Sequence, residues 1–350
     1  MVKYERVADI LRQRLAHGDY ALRLFPAERD VASELGVSYL TARKAVLQLI
    51  SEGLLKRTDR GRAVPAANGG NEAPTVALLA SGYPSRVYHR FHRLLEAAAE
   101  RQGVVIHSLR FFHWNDQAVT DALTRSAGTL LIQPSEQLPA AVLAALREAP
   151  SRVVMAGIDL SHHGLHGIDH LPATGVRLAL DHLVAQGHRR IVVLNLQPHD
   201  HAIQARLAEA TAWARGHDER ALVTVVDEPV PAGTELLASA REVAKRLLDT
   251  GDSRPSAVLG ITLPAAMGAL RAAADLGLAP GRDVAAIALD SEDYAMFLVP
   301  SVTTVDGSGL DTAVANALRW MTGGVWEGPA QMHCRLELNE RESTALWRPA

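Results

Sequence analysis

The chain has 350 residues, 48% of them hydrophobic, which predicts two or three globular bodies with sizeable cores. Its single cysteine, Cys334, excludes an internal disulfide and a cysteine-based zinc site, and is expected as a small apolar residue in a late strand over 332–338. Charge is uneven: residues 1–64 carry a net of +4 and the remainder a net of −7. There is no run of 18 apolar residues, so no membrane span is expected. Residues 1–15 form an amphipathic, charged stretch without a signal-peptide core, which places the chain in the cytoplasm as an expectation.

In chain order, the first informative segment is 26–64. It reads as a helix, a Gly-containing turn, a second helix and a two-stranded basic ribbon. Gly36 suits the left-handed backbone of a tight interhelical turn, and Ser38 is a plausible N-cap. Ala42, Ala45, Val46, Leu49 and Ile50 then form one apolar stripe on a helix. Away from the stripe project Leu40, Thr41, Arg43, Lys44 and Gln48, a short, polar, cationic face of the kind that enters a DNA major groove. Strands over 54–56 and 62–64 follow, joined by a hairpin with Arg57 and Arg60 near its tip. Residues 65–74 are rich in Gly, Pro and Asn and read as a flexible linker.

From Thr75 onward short apolar runs alternate with amphipathic stretches. Strands are expected over 76–80, 104–108, 129–132, 153–156, 191–194, 222–226, 257–261 and 284–288. Helices are expected over 87–102, 117–126, 139–148, 173–186, 202–215, 235–249, 264–276 and 310–322. This alternation is the α/β signature of parallel sheets with helices on both faces. The number of strands calls for two such units.

Motif order makes a resemblance specific. Phe25-Pro26, Leu35-Gly36-Val37-Ser38, Thr41-Ala42-Arg43-Lys44-Ala45, Glu52-Gly53-Leu54-Leu55-Lys56-Arg57 and Arg60-Gly61-Arg62 follow one another as in the winged helix-turn-helix of GntR-type bacterial transcription regulators. The resemblance implies DNA contacts by Arg29, Ser38, Thr41 and Arg43, with Gly61 letting the wing enter the minor groove. Tyr39, Leu40, Lys44, Arg60 and Arg62 complete the expected DNA-binding set. Tyr39 stands where the family usually has arginine, and Leu40 where it has a small hydroxyl residue, so an unusual operator is expected.

Residues 169–191, with Gly187-His188-Arg189-Arg190-Ile191, resemble the signature of LacI/GalR-type sensors. Residues 267–284 and the segment from Ala288-Leu289-Asp290 to Thr303-Thr304-Val305 also fit that family. Such a domain is similar to a periplasmic sugar-binding protein, two lobes closing over a small ligand. The combination looks like the arabinose-repressor subgroup. The implied architecture is an N-terminal winged helix-turn-helix (1–64), mainly α with a small β-wing. A linker (65–74) follows, and then a bilobal periplasmic-binding-protein-like domain with two Rossmann-like parallel sheets (75–350). Its first lobe is expected over 75–165 and 292–325, and its second over 169–288 and 330–346.

Ligands of such folds bind where strand C-termini face a shared cleft. Residues 81–91, 199–206, 261–263 and 289–291 should reach it. The expected effector residues are Tyr83, His89, Arg90, His201, Arg206, Thr262 and Asp290. The family often carries Asn-Asp where this chain has Thr262-Leu263, so a modified, phosphorylated or non-sugar effector is open beside a plain sugar. His162, His163, His166 and His170 form a tract, but Gly164 and Gly167 read as an interlobe loop, and no metal site is expected.

Together these features predict a ligand-responsive DNA-binding regulator. It would be a homodimeric repressor released from a palindromic operator in double-stranded DNA by a carbohydrate-like effector. The alternative is a constitutive DNA binder whose sensor only dimerises. No enzyme and no cofactor are expected. Lys245 is the only lysine beyond the reader and lies in an ordinary amphipathic helix, which disfavours a Schiff-base domain.

Overall fold

The computed structural model describes residues 3–16, 20, 25–58, 61–65, 73–83, 85–217, 219 and 221–345. The expected wing residue Arg60 and most of the linker lie outside them. The N-terminal body comprises α1 (Lys3–Ala16), α2 (Glu28–Glu34), α3 (Tyr39–Ser51) and the antiparallel pair β1 (Leu55–Arg57) and β2 (Ala63–Pro65). Its core gathers Val7, Leu11, Phe25, Val31, Ala42, Ala45, Val46, Leu49 and Leu55. Gly36 turns the chain between α2 and α3 at φ +62°, the backbone region that favours glycine.

The remaining chain forms two six-stranded sheets. The first holds β3 (Thr75–Ser81), β4 (Val105–Phe111), β5 (Gly128–Ile132), β6 (Arg152–Ala156), β7 (His166–Asp169) and β13 (Gln331–His333). Their order is β13-β7-β6-β5-β3-β4, all parallel. The second holds β8 (Arg190–Asn195), β9 (Leu222–Asp227), β10 (Ala257–Gly260), β11 (Ala285–Leu289), β12 (Thr303–Ser308) and β14 (Arg335–Asn339). The order here is β14-β12-β11-β10-β8-β9, with only β14 antiparallel. β5, β10 and β11 are buried along their whole length, as continuous apolar strands covered on both faces must be.

Helices α4 (Arg86–Gln102), α5 (Gln117–Arg125), α6 (Ala140–Glu148) and α11 (Leu310–Met321) pack on the first sheet. On the second pack α7 (Gly175–Ala185), α8 (His201–Gly216), α9 (Leu236–Leu248), α10 (Leu263–Asp275) and the short α12 (Glu342–Ala345). In α4, Tyr88, Phe91, Leu95, Ala98 and Ala99 recur at helical spacing and bury one stripe. Ser85 caps its first turn and Gly103 ends it at φ +65°.

Three expectations are corrected. The late strand expected over 332–338 is two strands, split at Cys334, with β13 in the first sheet and β14 in the second. The histidine tract is not a plain loop: a 3-10 turn (Ser161–His163) leads into β7. The lobe boundaries shift accordingly. Residues 292–308 carry β12 and stay with the second lobe, while α11 and β13 return to the first. Hydrogen bonding overrides sequence order at this point. β12 pairs with β11, so the chain does not cross back until Gly309.

The lobes are thus joined by three crossings, after β7, after β12 and between β13 and β14. They lie against one another closely. A Cβ on Gly307 would sit 1.7 Å from the backbone oxygen of His170 and 3.2 Å from the Cβ of Cys334. Gly307→Ala is therefore expected to destabilise the two-lobed domain by about 1–3 kcal/mol, because a backbone atom must move. A lowered midpoint of urea unfolding measures it, and an unchanged midpoint would contradict the tight crossing.

Candidate functional site

Two surfaces carry polar groups that the fold does not need. The first is the front of α3. Ser38 Oγ accepts the Thr41 amide at 3.2 Å and lies 2.8 Å from Thr41 Oγ1, so the cap fixes both side chains at the helix start. Arg29, Ser38, Tyr39, Leu40, Arg43, Lys44, Gly61 and Arg62 are exposed, and Thr41 is half-buried. Tyr39 is not a free side chain: its hydroxyl donates to Glu28 Oε2 at 2.8 Å, and Arg57 donates to Glu28 Oε1 at 2.9 Å. Glu28 therefore ties α2, α3 and the wing strand together. In the turn, Gly61 takes φ +76° and its carbonyl accepts from Arg57 at 2.6 Å. At the back, Arg12 donates to Glu52 at 2.8 and 3.1 Å and fastens α1 to the end of α3.

The second surface is a cavity of about 610 Å³ between the lobes. It lies where β3, β5, β6, β8, β10 and β11 end, as open parallel sheets dictate. All four expected regions reach it. Of the expected residues, Tyr83, Arg206, Thr262 and Asp290 line it. His89 does not; it is exposed outside the cavity. His201 lines a different cavity of about 540 Å³ below the crossings. Both misplacements have one cause. Adjacent residues on a helix face different directions, and Arg206, five residues on from His201, takes the inward position.

Arg90 lies behind the lining and reaches across from α4. Its Nη2 and Nη1 donate to the two carboxylate oxygens of Asp290 at 2.6 and 3.1 Å, a bidentate pair bridging the lobes. Burial alone would raise the Asp290 carboxyl, but the Arg90 guanidinium holds it below the usual carboxylate range. Beside it Arg93 donates to Asp293 at 2.9 Å, and Arg86 stands 3.8 Å from Glu292. Arg86, Arg90 and Arg93 are one helix face meeting one acidic turn. Asp290, Glu292 and Asp293 take φ +69°, +47° and +64°, so three of four successive residues are non-glycines in left-handed backbone. Opposite this ladder, the Tyr83 ring lies 3.0 Å from where a Cβ on Gly233 would be, so an aromatic of the first lobe roofs a loop of the second.

Inside, Arg206 is 7% exposed. Its Nη2 donates to the Leu171 carbonyl at 3.3 Å, while Nε has no partner. Burial pulls its pKa down, opposed by the charges of Asp200, Asp290 and Asp169. His170, on the crossing, is pushed down to about 4 by burial and is neutral at physiological pH. Loops 132–135, 156–157 and 231–236 also line the cavity. Sequence reasoning missed them, although each follows a correctly placed strand. No group of His, Cys, Asp or Glu suited to a metal occurs among the described residues.

Comparison with known proteins agrees with this division. Residues 3–64 match the family model of bacterial regulatory proteins of the gntR family, and residues 180–344 match a periplasmic binding protein-like domain. No curated protein matches the chain. Among solved structures, a LacI family transcriptional regulator from Lactobacillus casei with bound glucose aligns at TM-score 0.62 and 20% identity, over 77% of this chain and 99% of that one. The lac repressor dimer bound to operator and an anti-inducer aligns at TM-score 0.64 and 21% identity, over 79% and 95%. The regulator CcpA of Lactococcus lactis aligns at TM-score 0.61 and 17% identity, over 78% and 100%. At these identities the likeness is one of fold. The chain joins a GntR-type N-terminal domain to a bilobal, periplasmic-binding-protein-like domain of LacI-like fold.

One titration tests the cleft electrostatics. Burial and the Asp290 charge push Glu292 up to about 7. A raised carboxyl favours folding while it is protonated, so its contribution is full below about pH 4.3 and is lost as pH rises through about 7. Glu292→Gln is expected to gain stability over wild type as pH rises from 5 to 8, read by thermal unfolding at each pH. Parallel curves for the two proteins would contradict it.

Proposed function

We propose that this protein is a ligand-controlled transcription regulator, not an enzyme, that binds a palindromic operator as a homodimer and is released by a small carbohydrate-derived effector. It would act in the cytoplasm. No helix among the described residues is long and apolar enough to cross a membrane. The observation that carries the proposal is the coupling of two unsatisfied surfaces in one chain, an exposed cationic helix face and an interlobe cavity with a buried, under-bonded guanidinium.

The reading assigns roles by chemistry. Arg29, Lys44 and Arg62 would neutralise phosphates and position the reader, while Arg43, Thr41 and Leu40 would meet base edges, with Leu40 suited to a thymine methyl. Tyr39, held by Glu28, would be presented in one orientation. The net charge of +4 on residues 1–64 is modest, so two readers are needed to raise affinity. Self-association would use the second lobe, where Met296, Phe297 and Val299 are 52%, 76% and 98% exposed in one stretch. Apolar side chains grouped in exposure are a reasonable contact surface for a second copy. Effector binding would alter lobe closure and so the spacing of the paired readers, a coupling of roughly 1–3 kcal/mol.

A second reading, a constitutive binder with a sensor used only for pairing, draws on the Arg90–Asp290 bridge, which joins the lobes through protein groups alone. Selection of bound genomic fragments, followed by operator titration in the presence of candidate ligands, separates the two. Release by a ligand supports the first, and operator affinity indifferent to a broad set supports the second.

Two substitutions test the assignments. Arg43→Ala is expected to weaken operator binding by about 1–3 kcal/mol in fluorescence anisotropy, with unfolding unchanged. Phe297→Glu is expected to yield monomers in sedimentation and to weaken operator binding with them. A dimeric Phe297→Glu would place the interface elsewhere.

A further inference from the structure

The geometry points to an anionic effector, a small molecule whose carboxylate or phosphate is bound by Arg206, with Arg90 as the residue that sets this specificity. The inference rests on the ligand-responsive reading above and names the chemistry of its ligand.

The carboxylates of the cavity are already engaged. Four helices, α4, α8, α9 and α10, begin at its rim and direct their partial positive ends toward it. Asp200 caps α8, accepting the Ile203 amide at 2.8 Å. Glu235 caps α9, accepting the Leu237 and Ala238 amides at 2.8 and 2.7 Å. These two acids offset helix ends and form no direct ion pair among the described residues, although the Asp200 charge acts on Arg206 without touching it. Asp290 is taken by Arg90 through both oxygens, and Glu292 faces Arg86. The N-cap of α10, Thr262, makes no side-chain capping bond, so that helix end stays open to the cavity.

Arg206 is different. It is buried, it makes one 3.3 Å bond to a neutral carbonyl, its Nε has no partner, and it forms no ion pair among the described residues. A buried cation with open donors is costly until something pairs with it. Its planar fork matches a carboxylate or phosphate through two parallel bonds, whereas a neutral polyol fills the donors and leaves the charge. Arg90 sharpens the choice. A carboxylate is the strongest protein acceptor for a neutral sugar's hydroxyls, and Arg90 engages both oxygens of the one that ends β11.

The test uses the full chain. Aldonates, uronates and sugar phosphates are titrated calorimetrically, each beside its neutral parent sugar, with inorganic phosphate as the minimal probe. At least one acid is expected to bind roughly 10-fold or more tighter than its parent, the scale of one charge-assisted bidentate contact. Arg206→Gln should abolish that preference and Arg206→Lys retain part of it. Arg90→Gln should narrow it by improving the neutral sugar. Hits confined to sugar acids or to sugar phosphates identify the source of the anion. The inference is overturned if the parent sugar binds as tightly as its acid, if Arg206→Gln leaves anion binding intact, or if no arm shows Arg206-dependent anion binding. Operator binding by the same preparations reports separately on the regulator reading and on the folding of each variant.

Discussion

The bidentate contact between Arg90 and Asp290 is the constraint on which the architecture of the two-lobed domain turns. It joins residues 200 apart in sequence and on different lobes, at 2.6 and 3.1 Å. Two charges buried this far are tolerated only as a pair. Around it the molecule accepts three consecutive-region acids in left-handed backbone, which is reasonable only if the acidic turn must present its carboxylates to α4. The cavity follows from the same contact. The arginine ladder fastens one lip and Tyr83 over Gly233 roofs the other, so the space between the sheets is a partly open cleft narrowed at both lips.

Much of this was legible in the sequence, and the reasons are physical. Every strand expected between 76 and 288 forms within a few residues of its expected bounds, because buried parallel strands are continuous apolar runs. The helices were legible through their periodic apolar stripes, and Gly36 and Ser38 through the backbone and capping chemistry of the turn they make. Alternation predicted parallel α/β sheets in two units, while the winged helix and the two-lobed arrangement were what the family resemblances implied.

What stayed hidden was non-local or short. β7, β12 and the halves of the split strand are three to six residues long and are defined by their partners, not by a period of their own. Nothing in the composition of residues 331–339 says that Cys334 separates two sheets. At the site, Asp290 and Arg90 were each legible as candidate effector residues, but that they pair with one another depends on tertiary placement. Arg206 was legible as a candidate, yet its burial and its open Nε are not. The cavity loops 132–135 and 231–236 carry no residue pattern that separates them from other turns.

The chain carries a winged-helix domain and a two-lobed domain whose halves are joined by three tightly packed crossings. Coupling between sites is reciprocal: if the state of the cleft governs DNA affinity, DNA must bias the state of the cleft. That can be measured without knowing the effector. The one native cysteine is buried, so cysteines placed at the exposed Arg101 of the first lobe and Ala274 of the second accept spin labels selectively. The lobe-to-lobe distance distribution, recorded by pulsed electron resonance with and without selected operator DNA, should shift or narrow when the operator is bound. Superimposable distributions in the two conditions would contradict the account.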